Sequence, residues 1–304
     1  MSRRLHFFNM LLRHTARPRL ARTPTPEVAA RDMERGARFL FRPPPFLRHV
    51  VRPGGMHWFS QGPCAPRRVI LWFHGGGYVA GSPRTHRAML GRLSRLAGVE
   101  VCAPDYRLAQ EARFPAAVED ARAAWERLMA EGYRPEDVVI GGDSAGGGLA
   151  AGLLAWLCQR GTPPAGAVLF SPWTDLTLSG ASLTENAEAD ALLPVGRIGE
   201  LAEIWLGEAD PADPRASPLW ADFPTPPPVF IAWSQTEILR DDAARLADRL
   251  EQAGSEVRRM VHPVAPHVWP YFLGWFPEAR QTLRRAAVFV RECLRPVPAK
   301  PGGS

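Results

Sequence analysis

Apolar positions along the chain fall into two alternating patterns: short β-branched or apolar runs bounded by Gly, Pro or polar residues, and longer stretches with helical spacing. The short runs predict strands at Arg68 to Phe73, Glu100 to Ala103, Asp137 to Ile140, Gly166 to Phe170, Pro228 to Trp233 and Glu256 to Val261. Two further runs, Leu47 to Arg52 and Met56 to Gln61, flank Pro53-Gly54-Gly55 and predict an antiparallel hairpin at the sheet edge. Helical spacing covers Arg84 to Ala97, Ala116 to Ala130, Ala145 to Arg160, Asp241 to Ala253 and Pro277 to Leu294. Asp241 as N-cap and Gly254 at C′ bracket the fourth of these. Strands alternating with helices imply one α/β domain, a mostly parallel eight-stranded sheet with helices on both faces.

That alternation breaks at Leu176 to Ala221, which offers no strong strand and one helical piece near Ile198 to Leu206. An insertion after the sixth strand would sit above the strand C-termini, where open α/β sheets bind ligands. Residues 176–221 together with 1–45 therefore read as a helical cap over a core of 46–175 and 222–295, with 296–304 as a tail.

With 304 residues, 46% hydrophobic and 22% charged, the chain has the composition of a globular protein, and no run of about 18 apolar residues offers a membrane span. The net charge of +6 would suggest nucleic acid as a partner, but the arginines are scattered and mostly interleaved with acids, and Lys300 is the only lysine. No nucleic-acid partner and no stable membrane insertion are expected. Residues 1–26 differ, carrying six arginines and no acid before Glu27. Such a start can be a transit peptide or an interfacial helix; the reading preferred here is an amphipathic helix folded against the body. Cys64, Cys102, Cys158 and Cys293 form no CxxC or Cys/His pattern and read as reduced thiols of a cytoplasmic protein. The eight histidines lack HxxxH or HxH spacing, so no metal is expected.

The chemistry sits in a few segments. Gly142-Asp143-Ser144-Ala145-Gly146 is a GxSxG pentapeptide between a strand and a helix, where flanking glycines relieve a sharp turn and expose the serine as a nucleophile. His74-Gly75-Gly76-Gly77 follows the strand Arg68 to Phe73; its glycines let backbone N–H groups approach a developing oxyanion. Gly75, Gly76 and Ala145 are the expected donors, with His74 a structural hydrogen-bonding residue of the glycine loop. Only His262 and His267 follow Ser144, and His267 is favoured as base because it sits in a loop, while His262 ends a strand. For the orienting acid, the loop after Pro228 to Trp233 offers Glu237, Asp241 and Asp242; Glu237 is favoured, with the aspartates expected to cap the next helix.

These segments resemble the hormone-sensitive-lipase-like bacterial esterases over roughly residues 40–295: HGGGY at His74 to Tyr78, PDYRLAQE at Pro104 to Glu111, FPAAVED at Phe114 to Asp120, GDSAGG at Gly142 to Gly147, SPWTDL at Ser171 to Leu176, EILRDD at Glu237 to Asp242 and HVWP at His267 to Pro270. The resemblance implies the α/β-hydrolase fold, nucleophile Ser144, oxyanion glycines Gly75 and Gly76, triad histidine His267 and triad acid at Glu237, where the family usually has aspartate. It further implies hydrolysis of short- to medium-chain acyl esters without a cofactor, and it leaves a homodimer open. Gln110 stands where the family usually has proline, in a segment whose role looks structural. An amidase or arylformamidase-like hydrolase would keep the same machinery. A non-enzymatic receptor is the other rival, disfavoured because Ser144, Glu237 and His267 are all present.

Overall fold

The computed structural model describes residues 2–295, so the expected tail at 296–304 lies outside the described residues. Three helices, α1 (Arg3–His14), α2 (Ala16–Ala21) and α3 (Pro26–Leu40), precede the hairpin of β1 (Arg48–Arg52) and β2 (Met56–Ser60). The alternating part follows as β3 (Val69–Phe73), α4 (Pro83–Ala97), β4 (Glu100–Pro104), α5 (Ala116–Ala130), β5 (Val138–Asp143), α6 (Ala145–Gln159) and β6 (Gly166–Phe170). The insertion holds α7 (Ser182–Glu185) and α8 (Ile198–Leu206), before β7 (Val229–Ser234), α9 (Arg240–Gln252), β8 (Val257–His262) and α10 (Pro277–Cys293).

All eight strands form one sheet in the order β1-β2-β4-β3-β5-β6-β7-β8; β2 is antiparallel to both neighbours and every other adjacent pair is parallel. Strand order reverses at β3, which lies between β4 and β5, and such a switch point opens a crevice beyond the strand C-termini. Phe73 pairs with Gly142 there, so the glycine loop after β3 and the serine turn after β5 emerge side by side.

Central strands buried on both faces read as continuous apolar runs. Val69, Leu71 and Phe73 join the core beneath α5, α6 and α9, while Ile70 and Trp72 join the opposite core beneath α4 and α10. The strand β5 runs to Asp143, three residues past the expected end, because Gly141, Gly142 and Asp143 pair with Val168, Leu169 and Phe170. Ladder pairing, which low β-propensity glycines conceal, sets that boundary.

The N-terminal helix lies folded against the body, as its amphipathic pattern predicts. Leu5, Phe8 and Leu12 are buried, and the Phe8 ring meets Phe272, Trp275 and Phe276 at centroid distances of 5.0, 5.2 and 5.3 Å. No described helix is long and apolar enough to cross a membrane.

One capping expectation fails. The helix α9 begins at Arg240 with Leu239 at the N-cap, which makes no side-chain cap bond. Asp241 instead accepts from the Ser182 N–H at 2.9 Å, and Asp242 from the Thr174 and Asp175 N–H groups at 2.8 Å each. The two aspartates thus tie the start of α7 and the loop after β6 to α9, interactions across the fold that local capping rules do not contain. Gly254, at φ 93°, does end the helix as expected.

Candidate active site

The site is built from the turn between β5 and α6. Ser144 sits at φ 54° and ψ −125°, a conformation that costs a side-chain-bearing residue roughly 1–3 kcal/mol and is held by its surroundings. A Cβ on Gly142 would strike the Gly146 carbonyl, and one on Gly146 the carbonyls of Phe73 and His74. Only glycine fits either flank. The Ser144 N–H donates to the Phe170 carbonyl at 2.9 Å, fixing the turn to β6.

Asp143, buried beside the serine, accepts from Trp72 Nε1 at 3.0 Å, the Gly75 N–H at 3.1 Å and His86 Nε2 at 3.1 Å. Burial opposes its charge, but His86 and the indole N–H outweigh burial, and its pKa lies below the ordinary aspartate value.

From the loop after β8, His267 brings Nε2 to 2.9 Å from Ser144 Oγ and Nδ1 to 2.7 Å from Glu237 Oε2. Glu237 Oε1 accepts from the Ser171 hydroxyl at 2.9 Å and the Ser234 N–H at 2.7 Å. Burial disfavours an imidazolium at His267, yet the Glu237 carboxylate outweighs it and raises the His267 pKa above the ordinary histidine value. Burial also pushes Glu237 upward, against the lowering pull of His267 and Ser171. His262 ends β8 and accepts from the Val264 N–H at 3.2 Å; the histidine hydrogen-bonded to Ser144 Oγ is His267.

The expected oxyanion donor Gly75 needs correction. Its N–H is already given to the Asp143 carboxylate, so it is not free for a substrate oxygen. Among the described residues, none accepts from the N–H of Gly76, Gly77 or Ala145. Gly76 and Gly77 take φ of 134° and 62°, and a Cβ on Gly76 would strike the Ala80 carbonyl. His74 is structural: Tyr106 stacks on its ring at 4.2 Å and donates to its carbonyl at 2.7 Å, and burial pushes its pKa down to about 3. Gln110 is structural too, donating to the Val79 carbonyl at 2.8 Å.

Three contributors carry no sequence signal specific enough to assign a role. Ser171 lies in SPWTDL, but its hydroxyl's reach to Glu237 depends on strand order. Asn186 and Asp190, in the insertion, bind the backbone around Glu237. A polar residue in an irregular segment looks like any solvated loop residue until the fold closes.

Residues 70–271 match the family described as alpha/beta hydrolase fold. An acetyl-hydrolase of Streptomyces hygroscopicus is 41% identical over 225 residues, 74% of this chain and 75% of that protein. An esterase of Acinetobacter venetianus is 36% identical, over 73% and 74%. Among solved structures, an esterase from the bacterial hormone-sensitive lipase family superposes with a TM-score of 0.90 at 36% identity, covering 97% of this chain and 99% of that one. EstE5, in a crystal structure soaked with p-nitrophenyl butyrate, superposes with a TM-score of 0.90 at 34% identity over the same shares. Sequence, fold and relatives agree: the chain belongs to the α/β-hydrolase family, as a carboxylic ester hydrolase of the hormone-sensitive-lipase-like group.

Proposed function

We propose that the chain hydrolyses short- to medium-chain acyl esters through an acyl-enzyme formed on Ser144, with His267 as general base and Glu237 as its orienting acid. The observation that carries this reading is the hydrogen-bonded line from Glu237 through His267 to Ser144, at 2.7 and 2.9 Å. With the Nδ1 proton held by Glu237, the Nε2 lone pair faces the serine hydroxyl. Ser144 Oγ forms a bond to the ester carbonyl carbon while its proton passes to His267 Nε2. The N–H groups of Gly76, Gly77 and Ala145 are the donors assigned to the resulting oxyanion, with Gly75 serving Asp143 instead. Collapse breaks the bond to the alcohol oxygen, which leaves with the Nε2 proton. Water then gives a proton to His267 and its oxygen to the acyl carbon; Ser144 departs with that proton, releasing the acid.

The acyl-length reading is supported by the apolar walls near the glycine loop. A Cβ on Gly77 would lie 3.1 Å from Leu201 Cδ1, which puts α8 against that loop. Ala29, Ala30 and Met33 of α3, with Leu178 and Leu193 of the insertion, are partly buried apolar side chains on the same core. These apolar side chains support reading residues 1–45 and 176–221 as a cap that receives an acyl chain of modest length. The four unpaired cysteines fit a reducing cytoplasm.

A p-nitrophenyl ester series from acetate to palmitate tests the reading, with Ser144→Ala as control. Turnover should peak at short or medium chains and fall by about 10⁶ in the control, the scale set by loss of a catalytic serine. An organophosphonate that still labels Ser144→Ala at the wild-type rate would show another nucleophile.

A further inference from the structure

Backbone groups in a buried loop need partners, and those around Glu237 take theirs from the insertion. Asn186 Nδ2 donates to the Gln235 carbonyl at 2.8 Å and the Glu237 carbonyl at 2.7 Å. Asp190 accepts from the Ile238 N–H at 3.0 Å on one oxygen and from the Leu192 and Leu193 N–H groups at 2.8 and 2.9 Å on the other. Ser182 completes the grip, donating to the Ile238 carbonyl at 2.7 Å. Asn186 and Asp190 are 7% and 1% exposed, so water does not compete for these bonds.

That turn is held in its own right by the N-terminal helices. Arg13 donates to the Glu188 and Ala189 carbonyls at 3.1 and 2.6 Å, and Arg17 to the Ala187 carbonyl. Asn9 of α1 reaches the other side of the site, donating to the Val264 carbonyl in the His267 loop at 2.6 Å. One helix therefore touches the segment that carries the base and the segment that holds the acid.

We propose that Asn186 and Asp190 are positioning residues for Glu237, and that α1 and α2, through Asn9, Arg13 and Arg17, set the geometry of the triad. The inference rests on the reading of Ser144, His267 and Glu237 as a triad. Its physical basis is that a displacement of about 1 Å between reacting groups costs about 100-fold in rate. The Arg13 and Arg17 contacts also give two of the N-terminal arginines a structural use.

The test compares Asp190→Asn, Asn186→Ala and the double variant Arg13→Ala/Arg17→Ala with wild type on one p-nitrophenyl ester. An amide in Asp190→Asn keeps a single acceptor oxygen, so it must turn its NH2 toward either Ile238 or the Leu192 and Leu193 N–H groups. Turnover should fall about 10- to 100-fold in Asp190→Asn, and less in the other two, with KM within about threefold. The acid limb of kcat/KM should also move to lower pH in Asp190→Asn, because Glu237, Asp190 and Asp143 are the carboxylates that favour the His267 imidazolium. If Asp190→Asn does not fold, Asn186→Ala carries the same test, since it strands no buried charge. Unchanged kcat in folded variants, or a rise in KM alone, overturns the relay. Turnover surviving in Ser144→Ala would instead overturn the triad itself, so the two failures are told apart.

Discussion

Ser171 donates its hydroxyl to Glu237 Oε1 at 2.9 Å, and Ser171 Oγ accepts from the Val268 N–H at 3.1 Å, so one buried serine ties the acid to the residue after His267. Val268 takes a φ of 50°, costly for a β-branched residue, and this bond helps hold it there. Ser171→Ala should lower turnover about tenfold or more through loosened geometry. It should also cost about 1–3 kcal/mol of stability by stranding the Val268 N–H. Ester kinetics beside urea unfolding check both; unchanged kcat would remove Ser171 from the positioning of the triad.

Asp242 is buried and its pKa is raised to about 7, mainly by burial, partly offset by the Thr174 N–H and reinforced by the charge of Asp175. A carboxyl that binds its proton more tightly folded than unfolded favours folding below about pH 4, and that contribution is lost as pH rises through about 7. Asp242→Asn keeps an acceptor for Thr174 and Asp175 and never ionises. Its Tm relative to wild type should therefore rise between about pH 4 and pH 8, with turnover near normal. A Tm difference that stays flat across that range would mean Asp242 does not titrate there.

Phe8 carries much of the attachment of α1, being 4% exposed among three aromatic rings. Phe8→Ala should cost about 3 kcal/mol and make the N-terminal arm the first region cut by protease. Removing residues 1–40 should accordingly weaken the body as well as substrate binding, because it would expose Phe272 and Phe276. Limited proteolysis with mass mapping reads this directly; first cuts elsewhere would argue against α1 as the loosened unit.

Much of this was legible from the chain because burial and turn chemistry leave local marks. Gly166 to Phe170 and Ala116 to Ala130 match β6 and α5 residue for residue, and Ile198 to Leu206 matches α8. GxSxG, HGGG and His267 stood out in the sequence since steric demands and the proposed nucleophilic chemistry restrict the residue type at each point. What stayed hidden is relational. That Gly75 spends its N–H on Asp143, and that Asp241 and Asp242 serve α7 and the loop after β6 instead of a helix cap, depends on groups far apart in sequence. Asn186 and Asp190 are hidden for the same reason.

Glu237 meets His267 from 30 residues away, with only 1% of its own surface exposed, and in the proposed mechanism it has two separable effects. It fixes the imidazole with Nε2 toward Ser144, and it favours the imidazolium that forms during attack. Glu237→Gln keeps the shape but loses the charge, and its amide can present N–H2 to Nδ1 and turn the tautomer the wrong way. Turnover should fall by about 10⁴, the size of the amide replacement in the serine-protease triad. As the proposed base, His267 works only when neutral, so wild-type kcat/KM should fall on the acid side, through a pKa above the ordinary histidine value. Without the Glu237 carboxylate, burial is opposed only by the more weakly acting charges of Asp190 and Asp143, so the His267 pKa falls and the acid limb of the residual activity should shift to lower pH. A pH profile of wild type and Glu237→Gln, with Asp241→Asn alongside, separates the candidates. Near-normal turnover and an unmoved limb in Glu237→Gln, with collapse in Asp241→Asn, would transfer the role of acid to Asp241.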